Sequence, residues 1–332
     1  MEYRYLGSTG ARISTIALGA QTFGWNIDEK ESREILNHYL DAGGNYLDAA
    51  DSYNYGESEQ IVGDWMKDRG IRDSLIVGTK VFFPTGRGPN DTGLSRKHIC
   101  QSIEESLQRL STDYIDLYQI HCFDRRTPLE ETLRALDDLV HGGKVRYIGV
   151  SNVTPSQLQK GLMISQLMGL NRVATLQLEY NLLVRSPEWE LLPQCRTEGV
   201  GTLAWSPLAG GWLTGKYRRG KDLPPDSRAG RNDRWDDGEG QRGGERTFDI
   251  IDVLVKIGND VGKPPAQVAL NWLIQKQEVT CVLTGARTIG QLKENLGSCE
   301  WRLGADQITM LDAASDVGTP YPYDFIARYT RE

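Results

Sequence analysis

The chain has 332 residues, 39% hydrophobic and 25% charged, ordinary proportions for a globular protein with a large core. Its formal net charge of -7, with no basic stripe, argues against a nucleic-acid partner, because nothing in it balances a phosphate backbone. No apolar run is long enough to span a bilayer, and Met1–Leu6 lacks the apolar core of a secretion signal, so no membrane partner is expected.

In chain order, Tyr3–Leu6 and Arg12–Ser14, joined around Ser8-Thr9-Gly10, read as a β-hairpin ahead of the first barrel strand, placed to plug the barrel's bottom. Short β-branched runs then alternate with amphipathic stretches. Strands are expected at Thr15–Leu18, Asn45–Asp48, Ser74–Thr79, Tyr114–Ile120, Val145–Val150, Val173–Leu178, Gly201–Trp205 and Cys281–Thr284. Helices are expected between them, at Lys30–Asp41, Ser58–Lys67, Arg96–Leu110, Leu129–His141, Thr154–Met168 and Leu292–Gly297. Ser95 suits a helix N-cap, and Thr127-Pro128 would put proline at a first helical position with Glu130 and Glu131 in the first turn. Such alternation implies right-handed βαβ units and a parallel sheet. About eight strand–helix pairs favour an α/β fold of the (β/α)8 TIM-barrel type over an open sheet, as a single domain over residues 1–332.

One segment breaks the rhythm. From Arg218 to Arg246 the chain is rich in Gly, Arg and Asp, with only Leu223, Ala229 and Trp235 as apolar members. A long loop after strand 7 is expected there, rising as a lid from the face where barrel chemistry occurs. Inside it, Gly238-Glu239-Gly240-Gln241-Arg242-Gly243 matches G-x-G-x-x-G literally, but no strand precedes it, so the dinucleotide fingerprint is rejected. Gly210–Tyr217 nearly matches a phosphate-binding P-loop yet ends in Tyr217 where Ser or Thr would hold magnesium; its backbone remains able to cradle phosphate.

A parallel barrel builds its site at the C-terminal ends of the strands. Asp48 stands after the second expected strand and Tyr53 a short loop later; Lys80 closes the third and His121 the fourth. Ser151-Asn152 follows the fifth, Gln177 ends the sixth and Trp205-Ser206 the seventh. Singly, each has an ordinary structural reading as cap, surface charge or satisfied core residue. Together, Asp48, Tyr53, Lys80 and His121 would converge on one mouth. A free tyrosine has a pKa of about 10. A Lys80 cation beside Tyr53 is expected to lower it, with Asp48 keeping Lys80 charged, so that Tyr53 protonates a carbonyl oxygen which His121 orients. This chemistry needs no metal, and none is expected. The five cysteines, Cys100, Cys122, Cys195, Cys281 and Cys299, are widely spaced without a C-x-x-C, which disfavours a disulfide framework or structural zinc and fits a cytoplasmic protein.

At these residues the chain resembles the aldo-keto reductase family along nearly its whole length. Asn45-Tyr46-Leu47-Asp48-Ala49-Ala50-Asp51-Ser52-Tyr53, followed by Tyr55-Gly56-Glu57-Ser58-Glu59, is similar to the segment that carries the family's catalytic Asp and Tyr, with Lys80 and His121 on the other two tetrad positions. Gly149–Asn152, Trp205–Leu208, Leu213–Tyr217 and Gly285–Arg287 with Gln291 and Asn295 are similar to its cofactor segments. The resemblance implies NADPH/NADP+ as cofactor. It implies nicotinamide contacts from Ser151, Asn152 and Gln177, stacking by Trp205, pyrophosphate contacts from Ser206, Leu208, Gly210 and Lys216, and cofactor contacts from Asp48 and Pro207 as well. It further implies contacts from Gly19, Gln21, Thr22 and Gly285, an Arg287 pairing with the 2′-phosphate, and adenine contacts from Gln291 and Asn295. The chain departs from the family in carrying Ala49 where Thr is usual, Thr284 where Pro is common, and Trp205 where Tyr is frequent. Tyr55 is a nearby second tyrosine; spacing from Asp48 together with the family pattern favours Tyr53 instead.

Substrate walls are expected from Trp25, Phe82, Phe83 and Trp212 beside Tyr53 and His121, suiting a medium-sized aldehyde or ketone, a sugar or a hydroxylated aromatic. The alternative is an NADPH-binding regulatory subunit, since the barrel also resembles potassium-channel β subunits. No docking segment is recognised, which favours the enzyme. Oligomeric state is left open by the sequence.

Overall fold

The computed structural model describes residues 1–225, 227–230 and 243–330. Ten strands are described: β1 (Tyr3–Tyr5), β2 (Arg12–Ser14), β3 (Ile16–Gly19), β4 (Tyr46–Asp48), β5 (Ile76–Val81), β6 (Ile115–Ile120), β7 (Val145–Ser151), β8 (Val173–Glu179), β9 (Gly201–Trp205) and β10 (Val279–Thr284). The last eight pair in parallel in sequence order and close into a barrel through β10 and β3, with Val282 opposite Ile16. The expected TIM barrel is therefore the fold.

Strands β1 and β2 form an antiparallel hairpin, Tyr3 opposite Ser14. It plugs the barrel floor. Leu6 and Ile13 pack with Ala17, Tyr46, Leu117, Leu203, Cys281 and Leu283 in one buried cluster. Gly7, at φ +59, makes the closest approach: a Cβ there would stand 2.4 Å from the Ala174 carbonyl and 2.7 Å from Gly201 N. Only glycine combines that backbone with that proximity.

The surrounding helices are α1 (Glu29–Asp41), α2 (Glu57–Arg69), α3 (Arg96–Arg109), α4 (Leu129–His141), α5 (Pro155–Met168), α6 (Leu191–Glu198), α7 (Glu245–Val261), α8 (Pro265–Gln275), α9 (Ile289–Leu296), α10 (Ala305–Ser315) and α11 (Tyr323–Tyr329). Their starts follow cap chemistry. Ser95 accepts from His98 N at the head of α3, and Thr154 forms a reciprocal capping box with Gln157 ahead of α5. Pro128 differs from expectation. It is the N-cap of α4, extended at ψ 131, and the helix begins one residue later. Thr127 instead donates its hydroxyl to Asp124 at 2.7 Å.

Both α7 and α8 lie between β9 and β10, after the 218–246 stretch expected as a loop, with α7 beginning in its last two residues. Ala229 and Ser227 are buried, and Ala229 N donates to the Tyr217 hydroxyl, so the described start of that loop folds onto the barrel. Trp235 and the rejected glycine motif, apart from Gly243, lie outside the described residues, as do residues 226 and 231–242 of the expected lid as a whole. Among the described residues no helix is long and apolar enough to cross a membrane.

Candidate active site

Asp48 ends β4, and the neighbouring β5 carries Lys80; both side chains point into the barrel mouth. Lys80 is fully buried. Its Nζ donates to Asp48 Oδ2 at 2.7 Å, to the Ala49 carbonyl at 2.7 Å and to the Tyr53 hydroxyl at 3.1 Å. Three donors and three acceptors leave the ammonium fully used, the condition under which a buried cation is tolerable. Tyr53 sits on a tight turn after β4, and its ring meets His121 edge-on at 5.7 Å between centroids. Tyr55 points away and is 93% exposed, so the geometry brings Tyr53 and not Tyr55 to Lys80.

The other Asp48 oxygen is equally engaged. Oδ1 accepts from Tyr46 Oη at 3.2 Å, Gln119 Nε2 at 3.4 Å and Gln177 Nε2 at 2.9 Å. Sequence reasoning does not single out Tyr46 or Gln119. Their signal is register: Gln119 lies directly opposite Lys80 in the β5–β6 pair, so it shares the inward face. Gly149 makes room for it, since a Cβ there would stand 2.9 Å from Gln119 Cγ and 2.4 Å from Thr175 Oγ1. Gln177 thus spends one of its two amide N–H donors on Asp48.

Electrostatics correct one expectation. The Tyr53 hydroxyl lies above its ordinary range: burial raises it more than the adjacent Lys80 cation lowers it, and Asp48 raises it further. Burial would lower Lys80, but Asp48 and Tyr53 outweigh it and hold the ammonium above its usual value. His121 is pushed well below the usual imidazole range by burial and by Lys80, so its ring is neutral. Its Nδ1 is buried without a hydrogen-bond partner. The site therefore holds a protonated phenol, a lysine cation and a neutral imidazole.

Among the described residues, five of the six non-glycine positions with positive φ lie in loops after barrel strands: Asn54 and Tyr55 after β4, Asn152 after β7, Ser206 and Ala209 after β9. Strained backbone of this kind clusters at functional sites. After β9 the run Ser206, Ala209, Gly210 and Gly211, at φ +53, +49, +67 and +97, gives a concave backbone of the type that receives phosphate oxygens. Lys216 closes over it, its Nζ 2.8 Å from where a Gly211 Cβ would be. Trp205, at the end of β9, has a buried Nε1 without a partner. This cradle, with an aromatic face beside it and Lys216 above it, fits a dinucleotide carrying a pyrophosphate.

The remaining sequence candidates divide. Ser151 is buried at the end of β7, and Asn152 Nδ2 donates to the His121 carbonyl at 2.9 Å, beside the tetrad. Gly19 ends β3; Thr22 Oγ1 reaches the Ala286 carbonyl at 3.5 Å, joining the Gln21-Thr22 loop to Gly285–Arg287. Gln291 Oε1 caps Arg287 N at 2.9 Å, and Asn295 Nδ2 reaches the Gly285 carbonyl at 3.4 Å, so both also organise the loop that presents Arg287. Pro207 and Leu208 belong to the cradle's turn.

Among the expected walls, Trp212 is corrected. It is 3% exposed and packs on Tyr217 at 4.5 Å and Phe248 at 6.1 Å, which makes it core and not an open wall. Phe83 meets the His121 ring at 4.8 Å, while Phe82 stacks edge-on behind it at 5.3 Å and packs against the core. Trp25 is 40% exposed on the loop after β3.

Comparison with known proteins agrees with this arrangement. Residues 15–316 match the model of the "Aldo/keto reductase family". The chain is 38% identical over 299 residues to a "Probable voltage-gated potassium channel subunit beta" of Oryza sativa subsp. japonica, covering 89% of this chain and 90% of that one. It is 36% identical over 331 residues to an "Uncharacterized oxidoreductase" of Bacillus subtilis (strain 168), covering 94% and 95%. It is 35% identical over 310 residues to the "L-glyceraldehyde 3-phosphate reductase" of Escherichia coli (strain K12), covering 89% and 87%.

Proposed function

The chain belongs to the aldo/keto reductase family, and from that premise we propose that it is an NADPH-dependent reductase of aldehydes or ketones with Tyr53 as the general acid. The observation that carries this reading is the single Lys80 Nζ shared between Asp48 Oδ2 and the Tyr53 hydroxyl. Two reductases among the relatives, one named for L-glyceraldehyde 3-phosphate and one for versiconal hemiacetal acetate, support it.

A bound NADPH supplies hydride to the carbonyl carbon. The residues of this chain manage the oxygen. Tyr53 gives its phenolic proton to that oxygen as negative charge develops. The phenolate left behind faces Lys80, whose cation was already in place and needs no reorganisation. Asp48 keeps that cation aimed, since its Oδ1 is fixed by Tyr46, Gln119 and Gln177. His121, neutral, offers an N–H to the same oxygen without adding a second positive charge. Phe83 and the Tyr53 ring shield the oxygen from water.

For the cofactor, Ser151, Asn152 and Gln177 would hold the nicotinamide end, on which Trp205 would stack. Ser206–Gly210 and Lys216 would hold the pyrophosphate, and Gly19, Gln21, Thr22 and Gly285 would line its path. Arg287 would pair with the 2′-phosphate, with Gln291 and Asn295 near the adenine; this supports NADPH over NADH. Five free thiols, Cys195 and Cys281 buried among them, support a reducing, cytoplasmic setting.

The identity to a potassium-channel β subunit supports a second reading, a cofactor-binding regulatory subunit. A panel of aldehydes, ketones and sugars, followed by NADPH absorbance, separates the two. Turnover on any of them supports the reductase; tight NADPH binding with no turnover on the panel supports the subunit.

A further inference from the structure

We propose that Arg109, at the end of α3, is the positioning residue that keeps Tyr53 within reach of Lys80, acting through Gly56 and Glu59. The inference rests on the reading of Tyr53 as proton donor, and it concerns residues outside the mouth. Tyr53 begins a four-residue turn in which Asn54, Tyr55 and Gly56 all have left-handed φ, +46, +55 and +93. Two of the three are not glycine, so the turn persists only where its surroundings hold it.

Arg109 is what holds it. The guanidinium chain lies against Gly56: a Cβ there would meet Arg109 Cδ at 2.7 Å and Nε at 2.8 Å. Arg109 Nε donates to Glu59 Oε2 at 2.7 Å, and Glu59, in the first turns of α2, has a fully buried side chain. The second Glu59 oxygen accepts the hydroxyl of Thr79, the residue just before Lys80 on β5. The α2–α3 contact is tight enough to fix this geometry, since a Cβ on Gly63 would overlap the Arg109 carbonyl at 2.2 Å. One chain of contacts thus runs from the end of the Tyr53 turn through Arg109 and Glu59 to the strand that carries Lys80. It crosses the barrel wall from outside, on the face of β5 opposite the ammonium. A buried carboxylate with one guanidinium and one hydroxyl is firmly held, because losing either donor leaves one of its oxygens buried and unpaired.

The test uses the full chain carrying Arg109→Met, Arg109→Lys, Glu59→Gln or Gly56→Ala. Each is read by kcat and KM for 4-nitrobenzaldehyde, by NADPH fluorescence, and by ultraviolet titration of the tyrosine that Tyr53→Phe removes. Displacing a reacting group by about an ångström costs roughly 100-fold. The expected result is therefore a kcat lowered by about that factor in Arg109→Met and Gly56→Ala, with KM and NADPH affinity nearly unchanged, a Tyr53 titration moved to higher pH, and partial recovery in Arg109→Lys. Folded Arg109→Met or Gly56→Ala protein with wild-type kcat and an unmoved Tyr53 titration overturns the proposal. If Arg109→Met does not fold, Gly56→Ala and Arg109→Lys carry the same readings. If the wild type reduces no carbonyl at all, the reductase reading fails, while the Tyr53 titration still decides whether Arg109 sets the Tyr53–Lys80 contact.

Discussion

Gln177 Nε2 reaches Asp48 Oδ1 over 2.9 Å from the opposite wall of the barrel, β8 to β4, so the carboxylate paired with Lys80 is held from both sides. It follows that Asp48 and Lys80 are unequal partners. Asp48 retains three donors if Lys80 is lost, whereas Lys80 without Asp48 keeps only the Ala49 carbonyl and Tyr53. Leaving one member of a buried pair costs about 3–5 kcal/mol. Asp48→Leu is expected to lower the melting temperature more than Lys80→Met, and the double variant to be more stable than the sum of the two losses. Thermal unfolding of the three proteins checks this; strict additivity would count against a coupled pair.

Tyr53→Phe removes the proton and little else, since the hydroxyl's described partner is Lys80. General acid catalysis contributes about 10²–10⁴-fold, and kcat is expected to fall by that much. NADPH affinity, read by fluorescence, should stay within error of wild type.

The pH profile has a definite sign. Reduction needs the protonated phenol, and Tyr53 is held above its ordinary range by burial in spite of Lys80, so reduction persists through neutral pH and declines only in the alkaline range. His121 is held well below its usual value, chiefly by burial, so it stays neutral as pH falls from about 8 to about 6. A kcat/KM profile for reduction should be flat between those values, while alcohol oxidation, which needs the phenolate, should rise with pH. A reduction limb near the ordinary imidazole value of about 6.5 would show His121 titrating and defeat the neutral-imidazole role.

Arg287→Met tests cofactor choice. A hydrogen bond to a charged group contributes about 1.5–3 kcal/mol, or roughly 10–150-fold in affinity. NADPH binding should weaken by that factor with NADH binding unmoved. Equal weakening of both cofactors would remove Arg287 from the 2′-phosphate.

Asp51 offers a stability test. Both its carboxyl oxygens are buried without a hydrogen-bond partner, and burial, then Glu59, raises it well above the usual carboxylate range. A raised carboxyl is unfavourable to folding above its unfolded value of about 3.9, increasingly so until the folded value is reached. Wild-type protein should therefore lose stability relative to Asp51→Asn as pH rises from about 4.5 to about 8. Parallel melting curves for the two proteins over that range would remove the argument.

The barrel and the tetrad positions are readable because both depend on order along the chain. Strand ends of a parallel barrel face one mouth, so Asp48, Lys80 and His121 come together from their places in successive strands. Features that depend on neighbours distant in sequence are not readable. Gln119 and Tyr46 join Asp48 through inward parity, which requires the observed register. Trp212, expected as a substrate wall, is made core by Tyr217 and by Phe248, the latter far along the chain. The direction of the Tyr53 shift escapes the sequence for the same reason: a sequence names the nearby cation but does not weigh it against burial.

The hairpin plug has a consequence for synthesis. Arg4 Nη2 donates to the Ile274 carbonyl at 2.6 Å, across 270 residues, and its guanidinium also reaches the carbonyl of Val279 at the start of β10. Arg4 in the hairpin thus waits for partners made some 270 residues later. At about 5–20 residues per second that is roughly a quarter of a minute to a minute before Arg4 can make those bonds. The plug is therefore locked to its barrel only when β10, the strand that closes the ring against β3, has been made.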